Sequence, residues 1–97
     1  MSTIRVLLAD DHALVRNGIR MLLQKIDNVE VIAETGDGNQ ALALIESLRP
    51  DVALIDISMP GLNGIETVAR IRKRFPESRT VILSMHAEEE FVSQALK

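Results

Sequence analysis

Asp56 closes the apolar run Val52-Ala53-Leu54-Ile55, and the pair Asp10-Asp11 closes another, Ile4 to Ala9. Carboxylates are not core-forming groups. If the two runs are neighbouring parallel strands, three acids converge on one edge of a sheet. Like charges so placed repel, and they need a cation, a proton or a chemical role to coexist. Carboxylate oxygens without Cys or spaced His favour a hard cation, and a sparse, open set favours Mg²⁺. A carboxylate left beside such a cation can attack phosphorus and form an acyl phosphate. Asp56 is the better nucleophile, because it sits centrally and the loop that follows, Ile57-Ser58-Met59-Pro60-Gly61, can present backbone N–H groups. Ser84 closes a further apolar run, Thr80 to Leu83, and its hydroxyl can hydrogen-bond a phosphoryl oxygen.

The surrounding pattern supplies the elements that must position these groups. Short apolar runs alternate with segments of helical period. Strands are predicted at Ile4 to Ala9, Val29 to Ala33, Val52 to Ile55 and Thr80 to Leu83. A first helix is predicted from about His12 to Ile26, with Leu14, Val15, Ile19, Leu22, Leu23 and Ile26 on one face. Asp37 with Gln40, and Asn63 with Glu66, read as caps with reciprocal partners opening the second and third helices. The second helix groups Ala41, Leu42, Ile45 and Leu48 and stops before Pro50; the third carries Ile65, Val68, Ile71 and Phe75 and ends at Pro76. Glu88-Glu89-Glu90 suits the positive start of a fourth helix that runs to Lys97. Such βα alternation predicts an α/β fold, a doubly wound parallel sheet of flavodoxin-like order 2-1-3-4. Ligands then bind at the strand carboxyl ends, where the order reverses between the first and third strands.

Composition narrows the class. At 97 residues the chain fits one domain, and 46% hydrophobic but only 2% aromatic content implies an aliphatic core. A net charge of −3 with 26% charged residues argues against a disordered tail and against strong intrinsic attraction to nucleic acid. No cysteine is present, which excludes disulfides and thiolate metal sites. No apolar run approaches the roughly 18 residues of a membrane span, and the first residues enter a strand pattern without a signal peptide. A cytoplasmic protein without membrane contact is the expectation.

Three segments together resemble a known family: Val6-Leu7-Leu8-Ala9-Asp10-Asp11-His12, Asp51 through Gly64, and Val81-Ile82-Leu83-Ser84. In that order they look like the receiver domain of bacterial two-component response regulators, closest to the NarL/FixJ (LuxR) type, over essentially the whole chain. The resemblance implies the CheY-like version of the fold and a switch in which a sensor histidine kinase phosphorylates Asp56. It implies that Asp10, Asp11, Asp56 and the backbone carbonyl of Ser58 hold Mg²⁺. It further implies that Ser84 turns toward the phosphoryl group and that Met59-Pro60-Gly61 is the loop beside it. In regulators of this type the output is transcription through a C-terminal helix-turn-helix domain, of which these residues hold no part. DNA binding is therefore implied for a parent protein only.

The chain departs from the family pattern at its end. The family continues through a fifth strand, a phosphate-pairing lysine, a switch aromatic and a fifth helix, and Lys97, on the fourth helix, does not fill that lysine's role. Residues 1–97 thus read as one receiver domain, incomplete at its C-terminus. An unpaired fourth strand invites pairing with another chain, so self-association through that edge or the fourth helix is expected. A phosphatase of the haloacid-dehalogenase type would want a second Asp where Ser58 stands. A flavodoxin would want a Ser/Thr-rich loop where Asp10-Asp11 stand, and a module that had lost phosphorylation would not need all three acids.

Other residues have plainer readings. His12 is expected at the pocket rim and His86 on a loop, without metal-ligand spacing between them. Arg70-Ile71-Arg72-Lys73-Arg74 reads as a solvated face with cations at a helix end, and Met21 and Met59 as packing or loop residues rather than ligands.

Overall fold

The computed structural model describes residues 3–59 and 61–83. They form β1 (Ile4–Ala9), α1 (Ala13–Gln24), β2 (Val29–Thr35), α2 (Gly38–Leu48), β3 (Val52–Asp56), α3 (Gly64–Arg74) and β4 (Arg79–Leu83). The strands make one parallel sheet in the order β2-β1-β3-β4. This is the predicted doubly wound arrangement. The predicted fourth helix, Ser84 and Pro60 lie outside the described residues.

Alternation along the strands divides the apolar side chains between the two faces of the sheet. Leu7, Ala9, Ala53 and Ile55 join Ala41, Leu42 and Ile45 of α2 and Val68, Ile71 and Phe75 around α3 in the buried core. Val6 and Leu8 are also buried but stand outside that cluster, on the side where α1 packs over β1 and β2. The core is aliphatic apart from Met59 and Phe75, and the Phe75 ring has the guanidinium groups of Arg49 (4.8 Å) and Arg74 (5.2 Å) over it.

The helix ends follow local chemistry, with some corrections to the predicted detail. Asp37 caps α2 by accepting from the backbone N–H groups of Asn39 (2.7 Å) and Gln40 (3.1 Å). The Gln40 side chain does not return to the Asp37 backbone. It bonds the Thr35 hydroxyl, which itself accepts from the Asp37 N–H at 3.2 Å. Asn63 caps α3 through the Glu66 N–H at 2.9 Å, while the Glu66 carboxylate lies 3.9 Å from Arg70. Ile65 is exposed and Thr67 takes the buried place instead, its hydroxyl bonded to the Asn63 carbonyl at 2.8 Å. β2 runs two residues beyond the predicted Ala33, as far as Thr35, before Gly36.

The largest difference concerns α1. Val15, Ile19 and Leu23 are half-buried, but Leu14 (86% exposed), Leu22 and Ile26 face outward. Arg16 and Arg20 both reach Glu34 on β2, at 3.3 and 3.0 Å. The helix is rolled toward that edge strand, and its remaining apolar stripe is left uncovered among the described residues.

Candidate functional site

β1 and β3 run side by side in register, Ala9 beside Ile55, so the residues that follow emerge together at the carboxyl end of the sheet. Asp10 continues the β1 ladder by donating its N–H to the Thr35 carbonyl at 2.9 Å. Asp56 ends β3 opposite Leu83, and the next N–H, of Ile57, donates to the Leu83 carbonyl at 3.0 Å. Backbone pairing thus carries both acids into the interior: Asp10 and Asp56 are fully buried, while the Asp11 side chain is one-third exposed.

One donor atom from each of Asp10, Asp11, His12 and Asp56 lies within 4.8 Å of the other three. His12 is the surprise. As N-cap of α1 it donates its backbone N–H to Asp10 Oδ1 at 2.8 Å, and this Asx-type turn swings the ring inward. Its Nδ1 lies 3.0 Å from Asp11 Oδ1, 3.2 Å from Asp10 Oδ1 and 3.7 Å from Asp56 Oδ2. His12 thus stands at the start of α1 and at the rim, its side chain 40% exposed, and its Nδ1 also reaches the acid cluster, which the sequence pattern did not predict. An Asp two residues before the N-cap was the available sequence signal.

Burial is the main cause that raises the pKa of Asp56 above its usual 3.8, followed by the Asp10 charge; the Ser58 backbone N–H works the other way. His12 is raised above 6.5, first by its hydrogen bond with Asp10 and then by the Asp11 charge. Asp10 Oδ2 and both oxygens of Asp56 are buried with no hydrogen-bond partner. Buried polar atoms are almost always paired, so these carboxylate oxygens, gathered in one cluster, fit a bound cation. The oxygen-rich donor set fits a hard divalent cation better than a soft one.

The loop after β3 has its own geometry. Ser58 is exposed, Met59 is buried in the core cluster, and Gly61 adopts φ +75°, in the left-handed region that favours glycine. Gly64 starts α3 directly against the Asp56 carbonyl and Ile57 Cα, leaving no room for a Cβ, and its N–H donates to the Ile57 carbonyl at 2.8 Å. The start of α3 therefore braces the strand end that carries Asp56.

The raised pKa of Asp56 gives a stability prediction with a definite sign. A carboxyl whose folded-state pKa exceeds its unfolded value favours the fold while protonated. That contribution is lost as pH rises from about 4 through the folded value. Without divalent ions, Asp56→Asn is expected to melt above the wild type at pH 7, with the gap shrinking toward pH 4. At this chain length the gap corresponds to about 4–8 °C for each kcal/mol of relief. Thermal melts across that pH range, repeated with Mg²⁺ to close the gap at neutral pH, check it. A gap independent of pH would contradict it.

Known proteins agree with the geometry. The response regulator receiver domain profile matches residues 6–97. The chain is 40% identical over 92 residues to the nitrate/nitrite response regulator protein NarL of Escherichia coli, covering 95% of this chain and 43% of that protein. It is 38% identical over 94 residues to the transcriptional regulatory protein DegU of Brevibacillus brevis, covering 97% of this chain and 40% of that one. The chain thus spans about two-fifths of the length of these relatives. The signal receiver domain of the response regulator NarL from Mycobacterium tuberculosis superposes with a TM-score of 0.85 at 40% identity, over 99% of this chain and 77% of that one. RcsB from Salmonella enterica serovar Typhimurium, bound to a promoter in the presence of the phosphomimetic BeF3⁻, superposes at 0.82 with 32% identity, over 98% of this chain and 48% of that one. A profile spanning nearly the whole sequence, on a sheet of order β2-β1-β3-β4 with its acids at the switch point, shows that the chain belongs to the response regulator receiver domain family, among its NarL-type members.

Proposed function

We propose that Asp56 is the phosphoacceptor of this receiver and that Asp10, Asp11, Asp56 and the Ser58 backbone carbonyl bind Mg²⁺ beside it. The observation that carries this reading is the set of buried, unpartnered oxygens on Asp10 and Asp56 at the β1/β3 switch point. An Asp56 oxygen attacks the phosphorus of a phosphohistidine on a sensor kinase. The P–O bond forms as the P–N bond breaks, and the electron pair leaves with the imidazole nitrogen. Bound Mg²⁺ would offset the charge of the carboxylates and of the incoming phosphoryl oxygens. The chain's own contribution is burial, which keeps water from the carboxyl group, and the bracing of Asp56 by Gly64. Met59, Pro60 and Gly61 flank the acceptor, and Ser84 supplies a hydroxyl to the new phosphoryl group. Residues 1–97 act as one receiver unit with no enzymatic activity beyond promoting its own phosphorylation and dephosphorylation.

By analogy with promoter-bound RcsB, the signal passes to DNA through a domain outside these residues. The work is done in the cytoplasm; no helix among the described residues is long and apolar enough to cross a membrane. Incubation of the full-length parent protein with acetyl phosphate and Mg²⁺ followed by intact mass tests the reading: one phosphoryl adduct is expected, and none at all would overturn it.

Among the described residues β4 has one ladder partner, β3, and its Val81 and Ile82 are exposed. Exposed apolar edge strands pair with other chains, so this edge, or the helix expected after it, joins two copies. Light scattering during size-exclusion chromatography is expected to give a mass rising above the monomer with concentration. A constant monomer across the micromolar range would count against it.

A further inference from the structure

Asp10 is fixed on both sides of its backbone. Its N–H bonds the Thr35 carbonyl at 2.9 Å, and its own carbonyl accepts from Arg16 Nη1 at 2.7 Å. The second bond joins the Asp10–Asp11 peptide, which links the two acids, to a side chain one turn into α1. Arg16 is also paired with β2 by charge: its Nε lies 3.3 Å from Glu34 Oε1 without hydrogen-bond geometry, while Arg20 Nη1 donates to the other Glu34 oxygen at 3.0 Å. Gly36 lies so close that a Cβ there would meet both Arg16 Nη1 and Asp11 Cα at 3.3 Å. Exposed ion pairs contribute little, but here one arm of the guanidinium ends on the backbone of a buried acid, and three-quarters of the Arg16 side chain is shielded.

We infer that Arg16, oriented by Glu34, is a positioning residue: it sets the rotation of the Asp10–Asp11 peptide and thereby the divalent-cation affinity of the acid cluster. The inference rests on the reading of that cluster as a cation site. A bare cation near the pocket would oppose metal binding, so a charge effect and a geometric effect of Arg16 have opposite signs. Glu34 cancels part of the charge and leaves the geometry. Outer contacts that orient metal-binding groups are commonly worth about 10-fold or more in affinity.

The test is calorimetric titration of the protein with Mg²⁺ alone. Arg16→Lys keeps the charge but cannot hold the Asp10 carbonyl and Glu34 together, and it is expected to bind Mg²⁺ about 10-fold more weakly with nearly unchanged Tm. Arg20→Lys shares the Glu34 contact without touching Asp10, and it is expected to bind like the wild type. Wild-type affinity in Arg16→Lys, or an equal loss in Arg20→Lys, overturns the proposal. Should Arg16→Lys not fold, Gly36→Ala takes its place with the same outcomes, because its Cβ presses on the clamp without changing any charge. A wild-type protein that binds no Mg²⁺ would instead strike the cation-site reading itself, so the two failures are distinguishable.

Discussion

Asp56→Asn is expected to remove the phosphoryl adduct completely while leaving the protein folded. The amide that replaces the carboxyl has nearly the same shape, so the packing around the end of β3 is kept. It has no anionic oxygen to attack phosphorus. The usual objection to a loss-of-function variant is that it unfolds. Here the sign runs the other way, because the wild-type carboxyl is buried against the Asp10 charge and its replacement relieves that repulsion. Intact mass after incubation with acetyl phosphate and Mg²⁺ reads the result, and a thermal melt on the same sample shows the fold. An adduct that persists in this variant would move the acceptor to another acid.

Removing Asp10 is expected to be nearly as severe for the cation. Asp10 is fully buried with Oδ2 unpartnered, so its charge acts at close range without solvent screening. Asp10→Asn should weaken Mg²⁺ binding about 100-fold, since ligand charge count tunes such sites over orders of magnitude. Asp11→Asn should cost less, about 10-fold, because its side chain is one-third exposed and water already screens it. Calorimetry on both variants decides the order. Equal losses, or a larger loss for Asp11→Asn, would contradict the ranking of the buried Asp10 charge above that of Asp11.

The architecture was legible because period and burial coincide. Val52 to Ile55 is apolar throughout and becomes a strand with Ala53 and Ile55 buried and Val52 and Leu54 half-buried, and the Asp37 and Asn63 caps sit where the helices begin. The acids were legible for a related reason: a carboxylate directly after such a run has to sit at a strand end. What escaped depends on contacts between elements distant in sequence. Leu14, Leu22 and Ile26 share the helical stripe of Val15 and Ile19, yet α1 packs on β2 and β1 with these three exposed among the described residues. Ile65 fits the period of α3, but Thr67 reaches the buried position by bonding backbone carbonyls. Gln40 was assigned to its own cap and goes instead to Thr35. His12 joins the acids because Asp10 turns the chain just ahead of α1, and hydrophobic pattern carries no trace of such a turn. Arg16 and Glu34, 18 positions apart in the chain, meet because the sheet register sets Glu34 beside Leu8, which no local pattern shows.

Titration with Mn²⁺, which takes the same oxygen ligands as Mg²⁺, followed by NMR of the labelled protein, asks most directly whether the strand-end acids form a cation pocket. The amide signals of Asp10, Asp11, Asp56 and Ser58 should broaden first, well before stoichiometric metal, and excess Mg²⁺ should restore them. Broadening that begins elsewhere, such as around Glu66 or Glu77, or that is unaffected by Asp10→Asn, would contradict the account.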